Sequence, residues 1–226
     1  MYEFVIQVAD KQHIKYVDDI LTNIADAAKI RGTGIAKRSP EYVKSKMLED
    51  KAIIALTTDG KFAGFCYIES WGHQKFVANS GLIVVPEFRG YGLASKIKRK
   101  AFELSRKKFP YAKIFGLTTG LAVMKINSSL GYRPVTFSEL TKDDEFWKGC
   151  ESCVNHDILM RTRRMHCLCT AMLYDPMWEK PAEDAGKQDE STDSPFLSFA
   201  KWLKTKPNWL FNHKSPKMEK DTLKVE

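Results

Sequence analysis

An α/β (α+β) fold, with a mixed sheet covered by helices on both faces, is what residues 1–176 predict. Three observations carry it. Apolar runs of strand length alternate with stretches of helical periodicity. Asp59-Gly60 separates two apolar runs in the manner of a hairpin turn. The apolar run ending at Val85 leads through a Gly-containing turn into a long helical pattern. Helices set between strands in this order need both faces of a sheet to bury their apolar stripes.

The elements follow in chain order. Phe4 to Val8 reads as a first strand, and Ile14, Val17, Leu21, Ile24 and Ala28 recur at helical spacing up to Gly32. After the loop RGTGIAKRSP, Ser39-Pro40-Glu41 supplies a cap, a first-turn proline and an early acid for a helix to Leu48. Ala52–Thr57 and Phe62–Ser70 form the Asp59-Gly60 hairpin, and Phe76–Val85 is a strand stopped by Pro86. Gly92 to Lys108 is a long basic helix burying Leu93, Ile97, Ala101 and Leu104. Ile114–Thr118 is a strand, Leu121–Leu130 a helix, and Gly131 to Pro134 turns into the strand Val135–Phe137. Trp147–Arg161 reads as one helix and Cys167–Tyr174 as the last strand. Residues 177–195, poor in aliphatics and rich in charge, read as a polar linker to a C-terminal amphipathic tail at 196–226.

Composition bounds the function. At 226 residues, with 28% charged and 43% hydrophobic residues, the chain is long enough for one full core. No apolar run approaches the roughly 18 residues needed to span a bilayer. The start, MYEFVIQVADKQHIKYV, lacks a basic segment followed by an apolar run, which argues for a cytoplasmic protein. Five cysteines, an odd number, fit reduced thiols. The net charge of +8 lies entirely before Met177, because lysines and acids balance from there to the end. It favours an anionic partner: a nucleotide cofactor, an acidic metabolite or nucleic acid.

Residues 82–102, LIVVPEFRGYGLASKIKRKAF, carry most of the chemistry. Glycines let the backbone approach a ligand with no Cβ in the way. The first helical N–H groups lack intrahelical partners and carry the positive end of the dipole, so they suit a pyrophosphate. The spacing is not the Gly-x-Gly-x-x-Gly of dinucleotide-binding folds. Lys96, Lys98, Arg99, Lys100, Arg106, Lys107 and Lys108 on the helix read as a solvated basic face; the alternative is that one or two of them meet a ligand phosphate.

Val85-Pro86 followed by Arg89-Gly90-Tyr91-Gly92-Leu93-Ala94 resembles the R/Q-x-x-G-x-G/A loop of the GNAT N-acyltransferases. The resemblance spans residues 1–176 and implies a central sheet, mostly antiparallel, with two strands splayed into an acyl-CoA cleft. It implies that the amides from Gly90 to Ser95 hold the CoA pyrophosphate and that the backbone of Val84 and Val85 meets pantetheine and the oxyanion. A narrower resemblance lies in Leu117-Thr118-Thr119, Gly131-Tyr132 and Pro134-Val135, which is similar to the acetyltransferase domain of bacterial N-acetylglutamate synthases. It implies acetyl-CoA as donor, with succinyl-CoA as a second option, and the α-amino group of an acidic amino acid as acceptor, as in arginine biosynthesis. Two carboxylates call for guanidinium forks, and Arg31, Lys37 and Arg38 stand in the loop between the first two helices. The other reading of that loop is a basic surface. Two functional alternatives stay open: transfer to another amine, such as a protein lysine or a polyamine, and a non-catalytic acyl-CoA-binding regulator.

The acid and base depart from the family pattern. Where many members carry a tyrosine that protonates the departing thiolate, this chain has Asn127, whose amide can donate a hydrogen bond to sulfur but no proton. Tyr132, in the place of a structural phenylalanine, offers its hydroxyl as a weak substitute acid. Ala78-Asn79-Ser80 stands where the resembling synthases have a glutamate, which leaves Glu69 and His73 as the nearest ionisable groups. The resemblance implies direct transfer without an acyl-enzyme, the family norm, which makes Cys66 a core residue rather than a nucleophile. Cys150-x-x-Cys153 and Cys167-x-Cys169 have three readings: a structural zinc site, buried thiols or a redox pair. Phe196, Phe199, Trp202 and Leu203 suggest a helix that packs on its own domain, on a second copy in a homodimer, or on a membrane surface. No stacking motif for nucleic acid is present in the sequence.

Overall fold

The computed structural model describes residues 2–31 and 38–179, with backbone only at 31. The chain divides into Met1–Glu179 and Lys180–Glu226. The second unit, with most of the linker and all of the expected tail helix, lies outside the described residues.

Strand β1 is Phe4–Val8. A 3-10 turn at Lys11–Tyr16 then precedes helix α1, Val17–Arg31. The helical segment starts earlier than periodicity predicts because Asp10 caps it: its carboxylate accepts the Gln12 N–H at 2.8 Å, while the ring of His13 accepts the Asp10 N–H at 3.1 Å. Helix α2, Pro40–Leu48, begins where Ser39 Oγ accepts the Tyr42 N–H at 3.1 Å. Strands β2 (Ala52–Thr57), β3 (Phe62–Trp71) and β4 (Phe76–Val84) form an antiparallel meander. Helix α3 is Leu93–Lys108, β5 Lys113–Thr118 and α4 Leu121–Ser129. Strand β6 is Arg133–Val135, followed by short helices α5 (Asp144–Lys148) and α6 (His156–Arg161), and then β7, Thr170–Tyr174.

The seven strands form one open sheet in the order β1-β2-β3-β4-β5-β7-β6. Only β4 and β5 run parallel. Side chains alternate across it: Ile53 and Ala55 pack with Leu93, Ile97 and Ala101 of α3, while Ala52 and Ile54 pack with Ile20, Val43 and Met47 of α1 and α2. A third cluster joins Phe115, Trp147, Leu159 and Leu173. Both faces are therefore covered, as the sequence predicts.

Three element boundaries differ from the sequence reading. Trp147–Arg161 is two short helices, because N–H groups from Gly149 to Cys153 close tight turns (Cys150 onto Trp147 at 2.9 Å, Cys153 onto Cys150 at 2.9 Å) rather than extending α5. Cys167 and Cys169 precede β7, which starts at Thr170 because its partner β5 ends at Thr118. Strand β6 stops at Val135, where Thr136 caps a 3-10 turn over Phe137–Glu139. The fold also continues to Glu179, whose carboxylate accepts from the Tyr174 hydroxyl and pairs with Arg106 at 3.1 Å.

Candidate active site

Strands β4 and β5 are paired only at Phe76–Ala78 against Lys113–Phe115. Beyond that both continue, to Val84 and Thr118, and they diverge. Opposite Cys66 the β4 strand carries an extra residue: Phe65 pairs with Ile83, but Tyr67 pairs with Ser80. Gly81 makes this bulge with φ +65°, and a Cβ there would stand 2.7 Å from the Tyr67 ring. Glycine is thus required both for the backbone conformation and for the close approach. The bulge bends β4 away at the level where the gap opens.

The expected anion seat lies at the far end of β4. The Val85 N–H donates to the Ala63 carbonyl at 3.0 Å, so its backbone faces β3. Successive residues of a strand alternate edges, so Val84 faces the gap, contrary to the expectation that both residues do. The turn continues through Pro86–Phe88, with Arg89 Nε donating to the Val84 carbonyl at 3.3 Å. Gly90 and Gly92 have φ +85° and +71°, with open space where a Cβ would stand. Gly92 caps α3, and the first turn has neither a side-chain cap nor an acidic residue. The amides of Leu93, Ala94 and Ser95 therefore begin a sixteen-residue helix with nothing negative in its first turn, while exposed Tyr91 leans edge-on against Tyr2 at 5.6 Å.

At the splay a cavity of about 470 Å³ opens. Its walls include Tyr67 and Glu69 of β3, Asn79 to Leu82 of β4, Lys98, and Gly116 to Thr118 of β5. Arg38 enters from the start of α2: its Nε donates to the Tyr67 hydroxyl at 2.7 Å and its guanidinium lies over the Tyr42 and Tyr67 rings. Of the other two cations expected there, Lys37 lies outside the described residues, as does the side chain of Arg31.

Glu69 lines the cavity, bonded to Lys46 and 3.6 Å from Lys51, with the Tyr42 hydroxyl 3.4 Å from its carboxylate. His73 is not part of the cavity. It sits exposed in the β3–β4 turn with φ +55°, because the strands extend past the level of the gap. Asn127 of α4 is buried beside the cavity, and its Oδ1 has no hydrogen-bond partner. Tyr132 is locked into the core: its hydroxyl donates to Asn79 Oδ1 at 2.9 Å, and burial raises its pKa well above 10, which removes it as a proton donor.

The cysteines gather without forming a metal centre. Cys150, Cys153, Cys167 and Cys169 all line the cavity. Among the described residues, however, no group of three or more His, Cys, Asp or Glu side chains is arranged to hold a metal ion. The zinc reading of the four thiols finds no support there: Cys167 and Cys169 lie before β7 rather than on one face of it, and the tight turns after α5 place Cys150 and Cys153. Burial, reinforced by the neighbouring thiols, pushes Cys150 up to about 11 and Cys169 up to about 12, so both are neutral thiols at pH 7.

Sequence reading missed one residue of this site. Lys98, counted with the solvated face of α3, is 2% exposed and reaches the cavity. Its position, one after Ile97 on the buried stripe, was the available signal.

Residues 21–122 match the acetyltransferase (GNAT) family. That match spans a little under half of the chain and includes the glycine turn before α3 and both strands of the gap. No curated protein matches the sequence. Among solved structures, N-acetylglutamate synthase from Neisseria gonorrhoeae, complexed with coenzyme A and N-acetyl-glutamate, superposes with a TM-score of 0.54 at 14% identity. That match covers 76% of this chain and 35% of the other, so this chain spans about a third of that synthase. A Mycobacterium tuberculosis protein in complex with CoA gives a TM-score of 0.55 at 16% identity, over 76% of this chain and 98% of its own. The Salmonella typhimurium protein yncA, with its cofactor acetyl-CoA, gives 0.52 at 16%, over 81% and 99%. At these identities the likeness establishes the GNAT fold. No helix among the described residues is long and apolar enough to cross a membrane.

Proposed function

We propose that this GNAT domain transfers an acyl group, acetyl in the first instance, from acyl-CoA to the α-amino group of an acidic amino acid, with glutamate the leading acceptor. One juxtaposition carries the reading: an uncapped helix start at one end of the β4 gap, and the Arg38 guanidinium in the cavity where that gap begins. The helix start suits a pyrophosphate, and the guanidinium suits a carboxylate. The solved neighbours bound to CoA and to N-acetyl-glutamate support the same pairing. The cavity carboxylates are matched by lysines, Glu69 by Lys46 and Lys51 and Glu145 by Lys148, which disfavours a cationic acceptor.

The pantetheine arm would lie along the gap edge of β4, meeting the backbone of Val84. The amine must lose a proton before or during attack, and Glu69 is the cavity carboxylate placed to receive it through water. The nucleophile adds to the thioester carbon, the oxyanion takes an N–H from the gap edge of β4, and collapse expels the thiolate.

The test is release of CoA thiol from acetyl-CoA and succinyl-CoA against a panel of free amino acids, with Arg89→Ala as control. Turnover confined to glutamate and aspartate is the expected result. Turnover on polyamines or peptide lysines alone would overturn the acceptor assignment. Binding without turnover on any amine would favour a regulator.

A further inference from the structure

Lys98 is a buried ammonium with no carboxylate to answer it. No acid of the described residues pairs with it, and Cys66 on β3 is the one titratable group that acts on its charge. From the turn before β6, the Tyr132 ring lies 5.4 Å below Nζ, with its own hydroxyl turned to Asn79. Neither neighbour supplies a negative charge at neutral pH: burial pushes Cys66 up to about 11 and holds Tyr132 well above its ordinary value. The facing side chains from β4 and α4, Asn79 and Asn127, are neutral amides. A lone buried charge of this kind costs several kcal/mol unless an anion arrives beside it.

The location says which anion. A Cβ built on Gly116 would stand 3.4 Å from the Asn79 carbonyl, 3.8 Å from Lys98 Nζ and 4.0 Å from Asn127 Nδ2. That point lies just past Ala78 and Phe115, the last residues at which β4 and β5 are paired. An arm entering the gap from the start of α3 can go no further, so its reactive end stops beside Lys98.

We propose that Lys98 hands a proton to the sulfur that leaves the thioester, and is the proton donor of the acyl transfer. The inference rests on the acyl-CoA reading above. When the amine adds and the tetrahedral adduct collapses, the C–S bond breaks and its electron pair goes to sulfur. The proton on Nζ moves to that sulfur and gives the free thiol. Neutral Lys98 regains a proton from solvent, balancing the one that the base took from the amine. Burial lowers the lysine to about 8, close to the roughly 8.5 of a free thiol, so the transfer is nearly balanced in energy and most of the amine is charged at pH 7. Asn127, which has no proton to give, is left to orient the thioester.

The experiment uses the full chain and CoA itself. Ultraviolet absorbance of the thiolate, followed against pH for CoA bound to the wild type, needs no variant. The expected result is a bound thiol titrating about one unit or more below free CoA, since an opposite charge at contact favours the thiolate. Lys98→Met should bind CoA by calorimetry, lose that shift, and show kcat lower by about 100-fold with little change in KM for acyl-CoA. Lys98→Arg should recover the thiolate absorbance but not the rate, because a guanidinium holds its proton. A wild-type protein that binds CoA with an unshifted thiol, or a Lys98→Met variant with full kcat, would overturn this role alone. A wild type that binds no CoA would overturn the acyl-CoA reading and this role with it.

Discussion

The two ends of the cleft are built in different ways. From Val84 to Ser95 the working groups are backbone amides and a carbonyl, set by two left-handed glycines and a helix start that are contiguous in the chain. Around the cavity they are side chains drawn from Arg38, Glu69, Lys98 and Asn127, which meet only because the sheet, the start of α2, α3 and α4 close on one another. The first kind of site tolerates side-chain change and fails on backbone change. The second behaves the opposite way.

Gly92→Val tests the first half and should have the largest effect. A β-branched residue at φ +71° is strained by roughly 1–3 kcal/mol, and open space means that the helix end can move rather than the core. CoA affinity by calorimetry should fall by about 100-fold while the circular dichroism spectrum is kept. Unchanged affinity would show that the amides are not the anion seat.

Lys98→Met probes the second half through stability. The folded-state amine titrates at about 8 against an unfolded value of 10.5. Between those values the unfolded chain binds more protons, so wild-type stability rises with pH across that window, and the cost of the buried charge is fully present below it. The methionine variant should therefore be more stable by on the order of 2 kcal/mol at pH 7, with the advantage fading as pH approaches 10. Chemical denaturation at both pH values checks this; equal stability at pH 7 would place the ammonium in water.

Arg38→Ala should raise KM for glutamate by about tenfold and leave KM for acetyl-CoA alone, the loss of one charge-assisted contact. A matching rise in both constants would mean that Arg38 supports the cavity wall rather than the acceptor. The smallest effect belongs to Tyr132→Phe, which removes the hydroxyl from Asn79 and should cost about 1 kcal/mol of stability with little change in kcat. A large loss of kcat would reinstate Tyr132 as an acid.

The same contrast governs how much was legible. Glycine at 90 and 92 and the proline at 86 state their backbone geometry locally, so the helix start could be read from the sequence. The cavity could not. Tyr132 looked like a hydroxyl near the chemistry, but it is consumed by Asn79, a partner 53 positions away. His73 looked near because it ends a strand, yet the strand overshoots the gap. The spacing of the four cysteines left zinc, buried thiols and a redox pair open, and only the fold shows the turns after α5 and the segment before β7 bringing all four to one cavity.

The sequence by itself determined the order and type of the elements, the two-sided sheet and the glycine-built turn before α3, because apolar period and backbone-forcing residues act within a few positions. Tertiary structure alone decided where β4 and β5 part, which backbone edge of β4 stays open, and that Lys98 turns inward while Lys96, Arg99 and Lys100 of α3 face water. Those outcomes depend on register and packing between strands far apart in the chain: a lysine one position off a buried stripe goes to solvent or to the core according to what the sheet leaves room for.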